Sequence, residues 1–219
     1  MAIRAAICDF GGVLPSPLIG SFMAFQDHRG IPMEALGRAM ARSFERDGKH
    51  PLFELEMGKM TEADFLDELR TQLAEELGHT PELHNFKELY FDALDPNAEM
   101  IELMAEISRS ETRTAMLTNN VREWEPLWRA KLPVDEIFEL VVDSAFVGLR
   151  KPDPAIYELT LRRLREHDPA ALDDLVFSEC MFIDDIEANC DASRELGIAT
   201  VHFIDNEQAI PEIRALLAG

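Results

Sequence analysis

The chain has 219 residues, 47% hydrophobic and 29% charged, enough apolar content for a packed core and too much for a disordered chain. Its 21 Lys and Arg stand against 42 Asp and Glu, a net charge of −21, which argues against nucleic-acid or anionic-membrane partners. Cys8, Cys180 and Cys190 are odd in number and form no C-x-x-C pair, no apolar run nears the roughly 18 residues of a membrane span, and no signal-peptide pattern opens the chain, so a reduced, cytoplasmic protein is expected.

Residues 3–8 are a short apolar run that stops at Asp9, followed by Gly11 and Gly12, the pattern of an internal strand entering a loop. A long stretch without strand signal comes next, and its punctuation places helices. Pro32 suits the first turn of a helix running to about Arg46 and closed by Gly48. Thr61 and Asp64 resemble a capping box that opens the stripe Phe65, Leu69, Leu73 and Leu77, ended by Gly78. Pro81 is expected to open a further helix carrying Leu83, Phe86, Leu89, Tyr90 and Leu94. Beyond it the pattern alternates. A helix over 96–109 precedes a strand at Thr114–Leu117, and another strand falls at Leu140–Val142. A helix from Pro154 to about Glu166, a strand at Cys180–Ile183, a helix to Leu196, a strand at Thr200–Ile204 and a helix over 207–217 complete the chain. Strands separated by helices imply right-handed crossovers and a parallel sheet. The expected fold class is α/β: a Rossmann-like parallel sheet core over 1–15 and 93–219, with a small helical insert over 16–92 after the first strand.

Polar groups stand at the ends of three of these strands: Asp9, Thr118-Asn119 and Asp184-Asp185. In an open parallel sheet ligands bind outside the carboxyl ends of the strands, so these groups can converge. Carboxylates brought that close repel unless a cation sits among them. The donors are hard oxygens and no His or Cys pattern accompanies them, so Mg²⁺ is the natural ion. Lys151 lies between Arg150 and Pro152-Asp153-Pro154, a stiff loop just before a helix. A cation, a metal and a Thr hydroxyl facing one carboxylate suit a dianionic phosphoryl group. Asp9 can then attack phosphorus and form an aspartyl-phosphate. Taken singly, the residues have plainer readings: Asp184-Asp185 as a helix cap, Thr118-Asn119 as turn chemistry, Lys151 as a surface lysine.

Taken together they carry a resemblance. Cys8 to Leu14, Leu117-Thr118-Asn119, Arg150 to Pro154 and Phe182 to Asp185 resemble, in order and spacing, the four motifs of the haloacid dehalogenase-like (HAD) hydrolase superfamily. Within it, the run Asp184 to Asn189 is similar to that of the N-terminal phosphatase domains of soluble epoxide hydrolases. The resemblance implies that the insert is a small helical cap. It implies Asp9 as nucleophile and Mg²⁺ ligand, and Thr118 with the Asn119 backbone as phosphoryl binders. Lys151 would bridge nucleophile and phosphoryl charge. Asp185 would ligate Mg²⁺, with Asp184 beside it directly or through water, and the Gly11 carbonyl would face the metal. The substrate would be a small phosphorylated molecule, and the protein a monomer or homodimer.

One position departs from that pattern. The family's phosphatases carry a second Asp two residues after the nucleophile, where this chain has Gly11. Such an acid/base contributes about 10²–10⁴-fold. Either the substrate has a good leaving group, or another group such as His28 or the substrate itself supplies the proton, or the protein binds phosphorylated ligands without fast turnover. A metal-free 2-haloacid dehalogenase is the enzyme alternative, since a halide needs no proton. Asp184-Asp185 opposes it, being an unrelieved cost beside the nucleophile. Elsewhere, Cys8 is expected as a buried strand residue, Met100 and Met104 as core, Trp124 and Trp128 as packing rather than substrate platform, and His79 and His84 as surface. Phe22, Phe25 and Phe44 either line a pocket or pack the insert's helices.

Overall fold

The computed structural model describes residues 2–16, 23, 26 and 28–219. Strands β1 (Ala5–Cys8), β2 (Arg113–Thr118), β3 (Leu140–Asp143), β4 (Cys180–Asp184) and β5 (Ala199–His202) form one parallel sheet in the order β3-β2-β1-β4-β5. Both faces are covered. Ala6, Cys8, Met116, Met181, Ile183 and Val201 point into one core. Ala5, Ile7, Ala115, Leu117, Val142 and Phe182 point into the other. This period-two division of uniformly apolar strands is what a sheet sandwiched between helices requires.

After β1 the chain forms α1 (Met33–Asp47), α2 (Pro51–Glu56), α3 (Glu62–Leu77) and α4 (Phe86–Asp92). Helix α1 ends on Gly48 in the left-handed conformation, as its punctuation predicted. Thr61 caps α3 by accepting the Asp64 N–H at 3.2 Å, but the return bond runs from the Thr61 hydroxyl to Asp64 Oδ2 at 2.7 Å rather than from its backbone. Ala35, Leu36 and Ala39 of α1 share a core with Phe65, Leu69 and Leu73 of α3. Arg38 and Arg42 both reach Glu76, at 2.6 and 2.7 Å, and tie the pair on its outer side. The helix expected from Pro81 starts only at Phe86. Asn85 sits in the left-handed region at φ 57°, and Leu83 is buried ahead of it. A left-handed residue cannot sit inside a right-handed helix, so α4 begins only after Asn85.

The chain leaves and re-enters the sheet side by side. Ser16 N–H donates to the Asp95 carbonyl at 2.7 Å and Asn97 N–H to the Leu14 carbonyl at 2.7 Å. Helix α5 (Ala98–Ser108), capped by Asn97, then leads into β2. Short helices α6 (Glu125–Arg129), α7 (Val134–Ile137) and α8 (Ser144–Val147) flank β3. Helices α9 (Pro154–His167), α10 (Pro169–Leu172), α11 (Glu187–Glu195) and α12 (Asn206–Ala218) complete the layers. Among the described residues no helix is long and apolar enough to cross a membrane.

Candidate active site

The register builds the site. Cys8 lies opposite Ile183 of β4, so Asp9 and Asp184 are adjacent where both strands end. On the other side Cys8 lies opposite Met116, two residues before Thr118. Strands β2 and β3 step away from β1 in one direction, β4 and β5 in the other. The acids therefore stand at the topological switch point, where the crevice of such a sheet opens.

Lys151 is completely buried and all three of its ammonium hydrogens are used. Nζ reaches Asp9 Oδ1 at 2.8 Å, Asp184 Oδ2 at 2.6 Å and the Leu117 carbonyl at 2.8 Å. The surface-lysine reading is thus overturned. Burial alone would lower its pKa, but the two carboxylates outweigh burial and hold it above the ordinary value. Asp9 Oδ1 also accepts the Phe10 N–H at 2.7 Å, while Oδ2 takes no hydrogen bond from a described residue. Asp184 Oδ1 accepts from the Ile186 N–H at 2.8 Å and from Asn189 Nδ2 at 2.9 Å. Asp184 thus fixes the turn into α11 and holds the lysine as well, without capping the helix, whose N-cap is Ile186.

Asp9, Asp184 and Asp185 each offer a carboxylate oxygen within 4.8 Å of the others. With one ammonium among them, the fully ionised cluster carries two uncompensated negative charges. Burial pushes Asp9 up to about 8, with the charges of Asp184 and Asp185 adding to it. Burial and then Asp184 push Asp185 up to about 6. Buried hard oxygens with a net deficit of two charges fit a divalent cation.

A pocket of about 480 Å³ opens over this cluster. Asp9, Gly11, Thr118, Asn119, Lys151 and Asp185 form its polar end. Much of its wall is apolar: Leu36 and Met40 of α1, Phe65 and Leu69 of α3, Phe91 of α4, and Trp124. Trp128 is fully buried, as expected, whereas Trp124 both packs on Phe91 and faces the pocket. Phe44 is 51% exposed and lines nothing here; Phe22 and Phe25 lie outside the described residues. His28 is exposed and is not among the described residues that line the pocket. His79 and His84 are exposed, and Cys8, Met100 and Met104 are buried.

The sequence reading missed three contributors. Gly12 has φ 74°, and a Cβ there would collide with the Asp185 carboxylate, so only glycine lets that acid approach. Arg150 and Glu56 pair at 2.8 Å on the pocket wall. The doubled glycine after Asp9 was a signal for the first; nothing local marked the pair.

Buried carboxylates around one lysine, at the switch point of a parallel sheet, define an α/β protein of hydrolase type. The chain belongs to the haloacid dehalogenase-like hydrolase family, whose model matches residues 3–197. It is 32% identical over 220 residues to acyl-CoA dehydrogenase family member 10 of Mus musculus, covering 98% of this chain and 19% of that protein. It is 28% identical over 222 residues to bifunctional epoxide hydrolase 2 of Sus scrofa, covering 97% of this chain and 38% of that protein. The chain therefore spans well under half of either relative. A sesquiterpene phosphatase of Aspergillus oryzae matches end to end, 26% identical over 98% of this chain and 96% of its own. Among solved structures, an HAD family enzyme of Bacteroides thetaiotaomicron superposes with a TM-score of 0.70 at 21% identity, over 94% of this chain and 96% of its own. The same enzyme in complex with magnesium and inorganic phosphate also matches, with a TM-score of 0.60 at 22% identity, over 94% and 96%. These likenesses confirm the resemblance carried by the four motifs and the parallel α/β fold.

Proposed function

We propose that this chain is a Mg²⁺-dependent phosphatase that attacks phosphomonoesters of apolar alcohols through Asp9. The observation that carries the reading is one pocket with two ends. Asp9, Thr118 and Asp185 line its floor, with Asp184 buried within reach of both acids, and much of its wall is hydrocarbon. The end-to-end match to a phosphatase named for a terpene substrate supports the same pairing. In this reading residues 1–15 and 93–219 are the catalytic core and 16–92 the cap, whose helices select the alcohol.

Asp9 and Asp185 would hold the metal, with the Gly11 carbonyl and Asp184 beside them. When bound, the ion offsets the cluster's surplus charge and draws electron density from the phosphoryl oxygens. Lys151 keeps Asp9 Oδ1 fixed, so Oδ2 is the oxygen that meets phosphorus in line. The Thr118 hydroxyl and the Asn119 backbone N–H receive the equatorial oxygens, where charge grows in the transition state. Apolar walls exclude water from the nucleophile until the alcohol has left.

The Gly11 position and the fold also admit a metal-free dehalogenase. The surplus of two negative charges beside the nucleophile stands against it, because a dehalogenase gains nothing from that cost. The test is phosphate release from an aryl and a prenyl phosphate, in Mg²⁺ and in chelator, with halide release from 2-chloropropionate as the contrast. Mg²⁺-dependent release that vanishes in Asp9→Asn is expected. Halide release in chelator with no phosphate release would overturn the reading.

A further inference from the structure

Gly11 leaves the departing alkoxide without the acid that this kind of site otherwise carries. Among the described lining residues the pocket holds one carboxyl outside the Asp9, Asp184 and Asp185 cluster, and it belongs to Glu56 at the end of α2.

Glu56 is fixed from several directions. Its backbone carbonyl accepts the Ser144 hydroxyl at 2.6 Å. That hydroxyl in turn accepts the N–H of Asn120, two residues past Thr118, at 3.1 Å. Its Oε2 accepts Arg150 Nε at 2.8 Å, and Arg150 is the neighbour of Lys151. The Arg150 guanidinium lies 3.8 Å from the centroid of the Phe53 ring, on the same short helix as Glu56. Two residues on, Gly58 has φ 64°, and a Cβ there would collide with the Ala145 carbonyl. The chain after Glu56 therefore rests directly on α8, the short helix that follows β3. Held at its backbone and at Oε2, Glu56 keeps Oε1 free of any hydrogen bond from a described residue. Burial raises its affinity for a proton against the pull of Arg150 and Lys151. Glu56, Asp9, Asp185 and Tyr90 all line this one pocket.

We propose that Glu56 is the general acid and base of this site, supplied by the insert in place of the side chain that position 11 lacks. The proposal rests on the phosphatase reading. In the first half, Asp9 Oδ2 bonds to phosphorus and the bond from phosphorus to the ester oxygen breaks. The electron pair left on that oxygen takes the proton of Glu56, and the alcohol departs. In the second half, water attacks phosphorus and gives its proton to the Glu56 carboxylate. The bond from phosphorus to Asp9 breaks, its electron pair returns to the Asp9 oxygen, inorganic phosphate leaves, and Glu56 is protonated again. Arg150 steadies the carboxyl through Oε2 while Oε1 carries the proton.

The test is the dependence on leaving group. Glu56→Gln keeps an acceptor for Arg150 and has no proton to give. The kcat/KM reports the steps through phosphoryl transfer to Asp9, and so isolates the acid role. For a primary alkyl phosphate in Mg²⁺, Glu56→Gln should lose about 10²–10⁴-fold in kcat/KM. For nitrophenyl phosphate, whose leaving group needs no proton, the loss should stay under about tenfold. The base role shows separately: Glu56→Gln should release a burst of nitrophenolate, as phosphorylated Asp9 accumulates. Glu56→Asp, which keeps the proton on a shorter arm, should recover part of the alkyl rate. Equal losses on both esters at unchanged Tm, or no loss on the alkyl ester, would overturn the role of Glu56 and leave the phosphatase reading standing. If the wild-type protein turns over neither ester in Mg²⁺, the phosphatase reading fails, and this proposal fails with it.

Discussion

The carboxamide of Asn119 and the backbone of Lys151 exchange two hydrogen bonds. Asn119 Nδ2 donates to the Lys151 carbonyl at 3.0 Å, and the Lys151 N–H donates to Asn119 Oδ1 at 2.9 Å. The pair ties the loop after β2 to the loop before α9 and sets the point from which the lysine side chain starts. Asn119→Ala removes both bonds. Two such bonds contribute roughly 1–3 kcal/mol together, which for a chain of this size lowers Tm by about 2–12 °C. Phosphate release should fall further than stability, by at least about tenfold, because Lys151 must hold Asp9 to a fraction of an ångström. Thermal melts beside kcat separate the two effects. A variant with lowered Tm and full activity would show that the clamp does not position Lys151.

With the acid cluster as the proposed metal site, metal binding is coupled to pH. Without an ion, Asp9 and Asp185 hold their protons up to about 8 and about 6, against an ordinary value of 3.8, chiefly because they are buried. The folded chain then binds more protons than the unfolded chain between those limits. Stability contributed by the protonated acids is therefore full near pH 4 and is lost as pH rises toward 8. In chelator, Tm should fall over that range. Mg²⁺ binds the ionised form, so the Tm gain from Mg²⁺ should be small at pH 5 and larger at pH 8, with each 1 kcal/mol appearing as about 2–4 °C. A gain that shrinks as pH rises would contradict the cluster as the metal site.

Much of this site was readable because its determinants are local. An apolar run ending in Asp9 and another ending in Asp184-Asp185 announce buried strands with polar tips, and parallel pairing brings such tips together. The full burial of Lys151 was less legible, since a lysine between prolines looks the same whether it faces solvent or a carboxylate. The Glu56–Arg150 pair was not legible at all. Its partners are 94 residues apart, and α2 is six residues long, too short to print a periodic stripe. Trp124 shows a related limit. An i, i+4 spacing with Trp128 marks a helix face, but a pocket wall and a core require the same apolar face. The helix expected from Pro81 failed at Asn85, because a left-handed backbone at one residue is invisible in a hydrophobic pattern.

Gly12 is where the backbone makes room for the Asp185 carboxylate. Gly12→Ala places a methyl group into the Asp185 carboxylate at a residue with φ 74°. The left-handed conformation costs a non-glycine residue roughly 1–2 kcal/mol. The larger consequence is that Asp185 must move away from Asp9 and Asp184. The Mg²⁺ concentration for half-maximal activity should rise at least about tenfold, while Tm in chelator falls only a few degrees. A Mg²⁺ titration of activity beside melts in chelator reads both. An unchanged Mg²⁺ requirement would separate Asp185 from the metal.

The walls of the pocket set a scale for substrate preference. Each methylene transferred from water to an apolar wall contributes about 0.8 kcal/mol, close to fourfold in binding. Across straight-chain alkyl phosphates, kcat/KM should therefore climb by about threefold to fourfold per carbon until the pocket of about 480 Å³ is filled, then level off. Methyl phosphate, which leaves the walls wet, and phosphorylated sugars, whose hydroxyls fall against the apolar part of the wall, should be poor substrates. Leu69→Trp in α3 would take space from the alcohol end without touching Asp9 or Lys151. It should shorten the chain length at which the rise levels off, and leave the rate on short esters within about twofold, since the added bulk meets no part of them. Assaying wild type and Leu69→Trp over one homologous series of esters reads both effects. A flat profile in the wild type would mean that the hydrocarbon walls serve only to pack the insert and that the selective contacts lie elsewhere.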